Sequence, residues 1–216
     1  MFDFIMLPIE GILKQTLSFL YTNLGNYGLA IIAITIIIKI ILFPLTLKQD
    51  KSMREMKRIQ PQLEKIREKF KGNPQDMNKA TMELYQEHKV NPFGGCLPII
   101  LQMPVLFGLF NVLRNPKIIP ADAHFLIFTL TAKDPTYILP ILNALIAFLQ
   151  QKVMSKGTVQ NAQTEMMAYI FPVMMFVISF TMPSGLQIYW LASSIIGVAQ
   201  QYLLIVMSKE KEIKII

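Results

Sequence analysis

The sequence predicts an all-α polytopic membrane protein: five transmembrane helices, with a basic two-helix hairpin between the first two. Three observations lead there. Hydrophobic residues make up 53% of the 216 and charged residues only 16%, where a soluble domain carries about 25% charged. Five apolar runs have the length that crosses a bilayer. The basic residues behind the net charge of +7 collect in the segments on one side of those runs, as the positive-inside rule requires. That charge therefore does not by itself point to nucleic acid. The single cysteine, Cys96, excludes an internal disulfide framework and a Cys-rich metal site.

Residues 1–27 precede the first run. Ile9, Ile12, Leu13, Leu17, Leu20 and Leu24 recur at helical spacing, with Glu10, Lys14, Gln15 and Ser18 on other faces. The pattern predicts an amphipathic helix lying in the outer interface. Asp3 and the lack of a basic residue before Lys14 make it a poor secretory signal. The spans are Gly28–Leu47, Phe93–Leu113, Pro135–Gln151, Met166–Met182 and Ser184–Met207. The third and fourth cover only about 26 Å at a rise of about 1.5 Å per residue, short of a hydrocarbon core of about 30 Å. Either the bilayer thins beside them or the helices run on into polar flanks. Pro44, Pro98, Pro104, Pro140 and Pro172 interrupt four of the spans. Such breaks survive in lipid only where neighbours satisfy the freed carbonyls, which implies a packed bundle.

Between the first two spans, residues 48–90 are soluble in character. Met53, Met56, Ile59, Leu63, Ile66 and Phe70 mark one apolar helix face. Pro61 should kink this helix or start a second piece with Gln60 as cap. Gly72 ends it. Asn73, Pro74 and Asp76 then open a new helix with a cap, a proline at the first position and an acid in the first turn. Met77, Ala80, Leu84 and Tyr85 supply its apolar face. The plain reading of this basic hairpin is a solvated face near lipid headgroups; the sharper one is contact with a ribosome or nascent chain. The outer loop, 114–134, carries the apolar run HFLIFTLT, too short to span and expected to dip into the interface. Residues 152–165 form a cytoplasmic loop and 208–216 a cytoplasmic tail. Sixteen of the 21 basic residues fall on the side of the hairpin, that loop and the tail, against four (Lys14, Arg114, Lys117, Lys133) on the other. The N-terminus is thus expected outside and the C-terminus in the cytoplasm.

The remaining cation, Lys39, is twelfth of twenty in the first span. A charge at such depth costs roughly 2.5 to 3.5 kcal/mol on insertion scales, and snorkelling does not clearly bring it out. Thr35 and Thr46 share its helix face. No Asp or Glu lies in the five spans, so an intramembrane ion pair is not available, and the economical inference is a hydrated cavity within the bundle. An unpaired cation there attracts an anionic solute, a lipid phosphate or a carboxylate of a protein segment crossing the membrane, more strongly than in bulk water. Gln102, Asn111, Asn143, Gln150, Gln187, Ser193 and Ser194 could line the same space, or serve as hydrogen-bond glue. Enzyme constellations are missing: no Walker loop, nucleophile elbow or metal-spaced ligand set occurs, and His88 and His124 fall on opposite sides. No catalytic residue, cofactor or metal is expected.

The residues NPFGGCLPIILQMPVLFGLFNVL (Asn91–Leu113), TIIIKIILFPLTLKQDKSM (Thr35–Met53), IQPQL (Ile59–Leu63) and PSGLQIYWLASSI (Pro183–Ile195) resemble the membrane protein insertase family of bacterial YidC and its mitochondrial and chloroplast relatives. The resemblance covers nearly the whole chain after residue 20. It implies five spans around a hydrophilic groove open to the cytoplasm and to lipid and closed outside, in the bacterial inner (plasma) membrane. It places a basic residue of the first span in that groove, typically arginine and here Lys39. It also carries over Gln150, with Gln151 fitting almost as well, and Trp190; Thr35, Gln102 and Gln187 join them on polarity. The implied activity is membrane protein insertion and chaperoning, without a chemical step. The implied partners are nascent membrane proteins, the ribosome, the Sec translocon and the lipid bilayer, with no specific DNA binding. The large outer domain of many Gram-negative members is absent, and the tail KEKEIKII is short and nearly neutral. The alternatives are a carrier or channel for an anionic solute, and a scaffold that only assembles other membrane proteins.

Overall fold

The computed structural model describes residues 2–90, 97–155 and 162–213. It contains eight helices among them: α1 Phe2–Leu24, α2 Tyr27–Ile41, α3 Phe43–Lys69, α4 Pro74–Glu87, α5 Leu97–Arg114, α6 Ile138–Ser155, α7 Ala162–Ser179 and α8 Ser184–Ile213. A two-stranded antiparallel ladder, β1 His124–Phe125 and β2 Phe128–Thr129, is the one departure from an all-helical fold among the described residues. Residues 91–96, with Cys96 and the start of the second expected span, and 156–161, with Lys156, lie outside them.

The bundle is built on α8, which packs against α2 and α6; α6 in turn packs on α7, and α1 on α2 and α5. Leu17, Ile31, Ile34, Leu109, Leu113, Ile119, Leu130 and Leu186 form the centre of its core. On α1, Leu13 and Leu17 enter this core while Ile12 turns outward, so the apolar face read from sequence is narrower than expected and docks on neighbouring helices. Outward-facing Ile36, Ile40, Ile141, Leu145, Val173 and Val177 remain exposed on α2, α6 and α7. An apolar belt of this extent is foreign to a soluble surface and suits lipid. Among the described residues, Ser184–Met207 is by itself long and apolar enough to cross a membrane, α2 and α3 make a second such element as a bent pair, and Ile138–Val153 is a shorter apolar helix.

The first expected span, Gly28–Leu47, is not one straight helix. Asn26 caps α2, its side chain accepting from Gly28 N at 2.8 Å and Leu29 N at 3.2 Å. The helix stops at Ile41, and α3 leaves at 59°. Pro44 stands in the first turn of α3, where its missing N–H is tolerated but where it could not have continued α2. Pro61, by contrast, sits within α3 without starting a new helix at Gln60. The hairpin turn forms as expected: Gly72 adopts φ +98°, and the Asn73 side chain accepts from Asp76 N at 3.3 Å. Ile59, Leu63, Leu84 and Val90 bury between α3 and α4, with Met56, Ile66 and Tyr85 against them.

The 114–134 loop folds back onto the bundle. Ile118, Ile119, Phe128 and Leu130 enter the bundle core. Gly185 N donates to Leu130 O at 2.9 Å and Ser184 N to Ala132 O at 2.7 Å, fastening the loop to the start of α8. Tyr27 Oη donates to Ile118 O at 2.8 Å. Gly28 passes directly beneath Phe125, where any Cβ would collide with the ring. The hairpin tip stands clear, with Leu126 78% and Ile127 65% exposed. Asp134 ends the loop and opens α6. Its carboxylate accepts from Thr136 N at 2.8 Å, Thr136 Oγ1 at 2.6 Å and Leu139 N at 2.8 Å.

Burial raises the Asp134 carboxyl, but the bonds from Thr136, Leu139 and Ile138 together outweigh it and leave its pKa below the ordinary value. A depressed folded pKa gives stability that is complete above about pH 4, the unfolded value, and is lost as pH falls through the lower folded value. Asp134→Ala is expected to destabilise the protein in detergent by about 1–2 kcal/mol, and to remove that part of its acid sensitivity, as thermal unfolding at neutral and acidic pH measures.

Candidate functional site

The bend between α2 and α3 opens a wedge at one end of the bundle. Lys39 lies in the last turn of α2, just before the bend. Thr46, Gln49, Asp50 and Met53 follow on α3, Gln150 and Val153 come from α6, and Gly197, Val198, Gln200 and Gln201 from α8. Together they enclose a cavity of about 120 Å³. The lack of a side chain at Gly197 brings the long groups together: a Cβ there would lie 3.5 Å from Gln150 Nε2 and 3.9 Å from Lys39 Nζ.

The polar groups of the wall are largely committed to one another. Gln200 Nε2 donates to Lys39 O at 3.4 Å. Gln201 Nε2 donates to Asp50 Oδ1 at 2.9 Å, and Arg54 Nε to Asp50 Oδ2 at 2.6 Å. Arg54 Nη2 also donates to Leu204 O at 2.8 Å, tying α3 to α8. Thr46 Oγ1 donates to Leu42 O at 3.2 Å. One turn beyond Arg54, burial lowers the Lys57 pKa, with Asp50 raising it and Arg54 lowering it. The Lys39 ammonium is uncommitted: half-buried, it makes no hydrogen bond or ion pair among the described residues. A cation so placed, walled by carboxamides that cannot neutralise it, can receive an anionic group or its water shell.

Of the polar residues read from sequence, the structure brings Lys39, Thr46 and Gln150 together, and it is Gln150, not Gln151, that lines the cavity. The others lie off its wall. Thr35 is buried and donates to Ile31 O at 2.6 Å on its own helix. Gln102 donates to the Tyr189 hydroxyl between α5 and α8. Gln187 is buried near the start of α8, its Nε2 donating to Met182 O at 3.0 Å while its Oε1 and the nearby Asn143 Oδ1 have no partner. Trp190 packs against the bundle core, and Asn111 donates to Glu10 of α1. Sequence reasoning missed Gln49, Asp50, Gln200 and Gln201. The signal was there in the Gln200–Gln201 pair, which mirrors Gln150–Gln151, and in Asp50, the acid just beyond the first apolar run.

Gly197→Leu is expected to fill the cavity, whereas Gly197→Ala only reaches van der Waals contact. With Cys96 replaced by serine and a cysteine in place of Lys39, labelling by a water-soluble maleimide should persist with alanine at 197 and be lost with leucine.

Comparison with known proteins gives a consistent answer. Residues 19–211 match the family model described as 60Kd inner membrane protein. The chain is 60% identical over 198 residues to the membrane protein insertase YidC of Fusobacterium nucleatum subsp. nucleatum, covering 90% of this chain and 95% of that one. It is 45% identical over 195 residues to the membrane protein insertase YidC of Citrifermentans bemidjiense, covering 90% of this chain but 36% of that longer one. A crystal structure of an active YidC insertase with its first transmembrane domain resolved superimposes with a TM-score of 0.73 at 28% identity, over 93% of this chain and 46% of that one. The chain belongs to the 60Kd inner membrane protein family, the family of the YidC membrane protein insertases.

Proposed function

We propose that this chain is a membrane protein insertase and chaperone, and that the cavity at Lys39 is the cytoplasmic berth for the polar end of an incoming segment. The observation that carries this reading is the uncommitted ammonium of Lys39 in a wall of glutamines. In this reading the chain crosses the bacterial inner membrane five times: by α2 with the start of α3, and by α5, α6, α7 and α8. Its N-terminus lies outside and its C-terminus in the cytoplasm. The loop fastened to the start of α8 closes the outer side, and the wedge opens to the cytoplasm.

A nascent membrane protein first meets the α3–α4 hairpin, whose exposed basic face also suits a ribosome, and a Sec translocon can pass clients laterally. The client's polar tail enters the cavity, where Lys39 draws acidic groups and water limits their desolvation. The client's apolar segment then moves into lipid, which yields about 25 cal/mol per Å² of apolar surface. No bond is made or broken in the client. Thr35, Gln102, Gln187 and Trp190 support the helices around this path more than they touch the tail.

In vesicles holding the purified protein, Lys39→Ala should slow insertion of a single-span client with an acidic outer tail by about tenfold or more, the scale of one charge-assisted contact. Lys39→Arg should retain it. Full activity of the alanine variant would overturn the reading, and a Lys39-dependent anion flux without any client would favour a carrier instead.

A further inference from the structure

One carboxylate shares the cavity wall with the lone ammonium of Lys39: that of Asp50. Its side chain is only 11% exposed. A buried carboxylate without a partner is strongly unfavourable and will take whatever cation it can reach. In a site of low dielectric a Lys39–Asp50 pair would hold both charges and leave nothing for a visitor. The structure avoids this pairing. Arg54, one turn along α3, occupies Oδ2 of Asp50 at 2.6 Å, and Gln201 occupies Oδ1 at 2.9 Å. Arg54 is held in place in turn by its second contact, Nη2 to Leu204 O at 2.8 Å. The planar fork of a guanidinium can make both contacts at once.

We propose that Arg54 is a positioning residue for insertion: by engaging Asp50 it prevents that carboxylate from neutralising Lys39, and so keeps the cavity's charge available to an acidic group arriving on a client. This deepens the reading of Lys39 as a berth and rests on it. The carboxylate of Asp50 is then balanced by Arg54, while Lys39 stays positive in the same cavity. An acidic tail that enters is drawn to Lys39, with no repulsion from a free carboxylate in the wall. Lys57, which lies in the field of the same pair, is the competing cation for Asp50 should Arg54 be removed.

The test uses the full chain in lipid nanodiscs and a water-soluble carbodiimide, which condenses a carboxylate with an adjacent amine; mass spectrometry then locates the amide. The wild-type chain should give little Lys39–Asp50 amide. Arg54→Ala should give it clearly, and in vesicles should slow insertion of acidic-tailed clients by about tenfold, the scale of one charge-assisted contact, with neutral-tailed clients little affected. Arg54→Lys keeps a cation beside Asp50 and should behave as wild type. The double variant Arg54→Ala/Asp50→Asn removes the competing carboxylate and should recover insertion. The proposal is overturned if the double variant stays as slow as Arg54→Ala, because the contact to Leu204 would then be what matters. It is equally overturned if Asp50 in Arg54→Ala couples to Lys57 and not to Lys39. These results stand apart from the berth itself: normal insertion by Lys39→Ala would remove the berth, yet a Lys39–Asp50 amide in Arg54→Ala would still report which cation the carboxylate takes.

Discussion

The cavity exists because the chain cannot continue α2 through Pro44. A proline in that position has no N–H for the carbonyl four residues back, and its ring crowds that carbonyl. The chain breaks at Leu42 and α3 departs at 59°. Two helices that would otherwise be one then diverge, and α8 runs past the gap between them. Lys39, in the last turn before the break, faces a wedge where a straight helix would have held it against a neighbour. The bend would be loose on its own. It is fixed by the contacts that α3 makes with α8 about two and three turns later, Asp50 with Gln201 and Arg54 with Leu204 O. Backbone geometry opens the space, and a small polar cluster sets its width.

The two ends of the bundle are built from different interactions. At the end carrying the 114–134 loop, closure uses backbone hydrogen bonds to Ser184 and Gly185 and the burial of Ile119, Phe128 and Leu130. Those contacts are short and made by backbone and buried apolar groups. At the wedge, closure uses the long side chains of Lys39, Gln150, Gln200 and Gln201, which can change rotamer at modest cost. On the proposed reading, this distribution of stiffness suits a path that admits diverse segments at one end and prevents leakage at the other.

Much of this was visible in the sequence, and the reasons are local. Lys39 stands out because a lone cation in an isoleucine run has no innocuous explanation. The hairpin turn at Gly72, Asn73 and Pro74 is written in residues whose conformational preferences act over three positions. What depended on long-range packing was not readable. Polar residues with helical spacing to Lys39 seemed natural companions, yet Thr35 satisfies its hydroxyl on Ile31 O, the ordinary behaviour of threonine inside a helix. Gln102 meets Tyr189, a partner 87 residues away. Asp50 and Gln201 belong to the site only because the 59° bend carries α3 back across α8, and no window of sequence contains that angle. The same limit hid the folding of the 114–134 loop, whose apolar run serves the core at Phe128 and Leu130 and leaves Leu126 and Ile127 exposed.

The make-up of the cavity wall bears on why a lysine suffices where the resemblance leads one to expect arginine. An arginine brings a planar fork that rewards one fixed geometry, whereas an ammonium is a point charge with three rotatable donors on a flexible stem. Carboxamides surround it, each able to donate and accept, and none able to cancel its charge. On the proposed reading the site holds a different client sequence at every turnover, and such a site gains little from a fixed geometry and much from groups that reorient. The guanidinium beside this site is that of Arg54, where both partners belong to the protein: one carboxylate and one backbone carbonyl. Arginine is placed where both partners belong to the protein, and lysine where the side chain has no partner among the described residues and, on the proposed reading, takes a transient one.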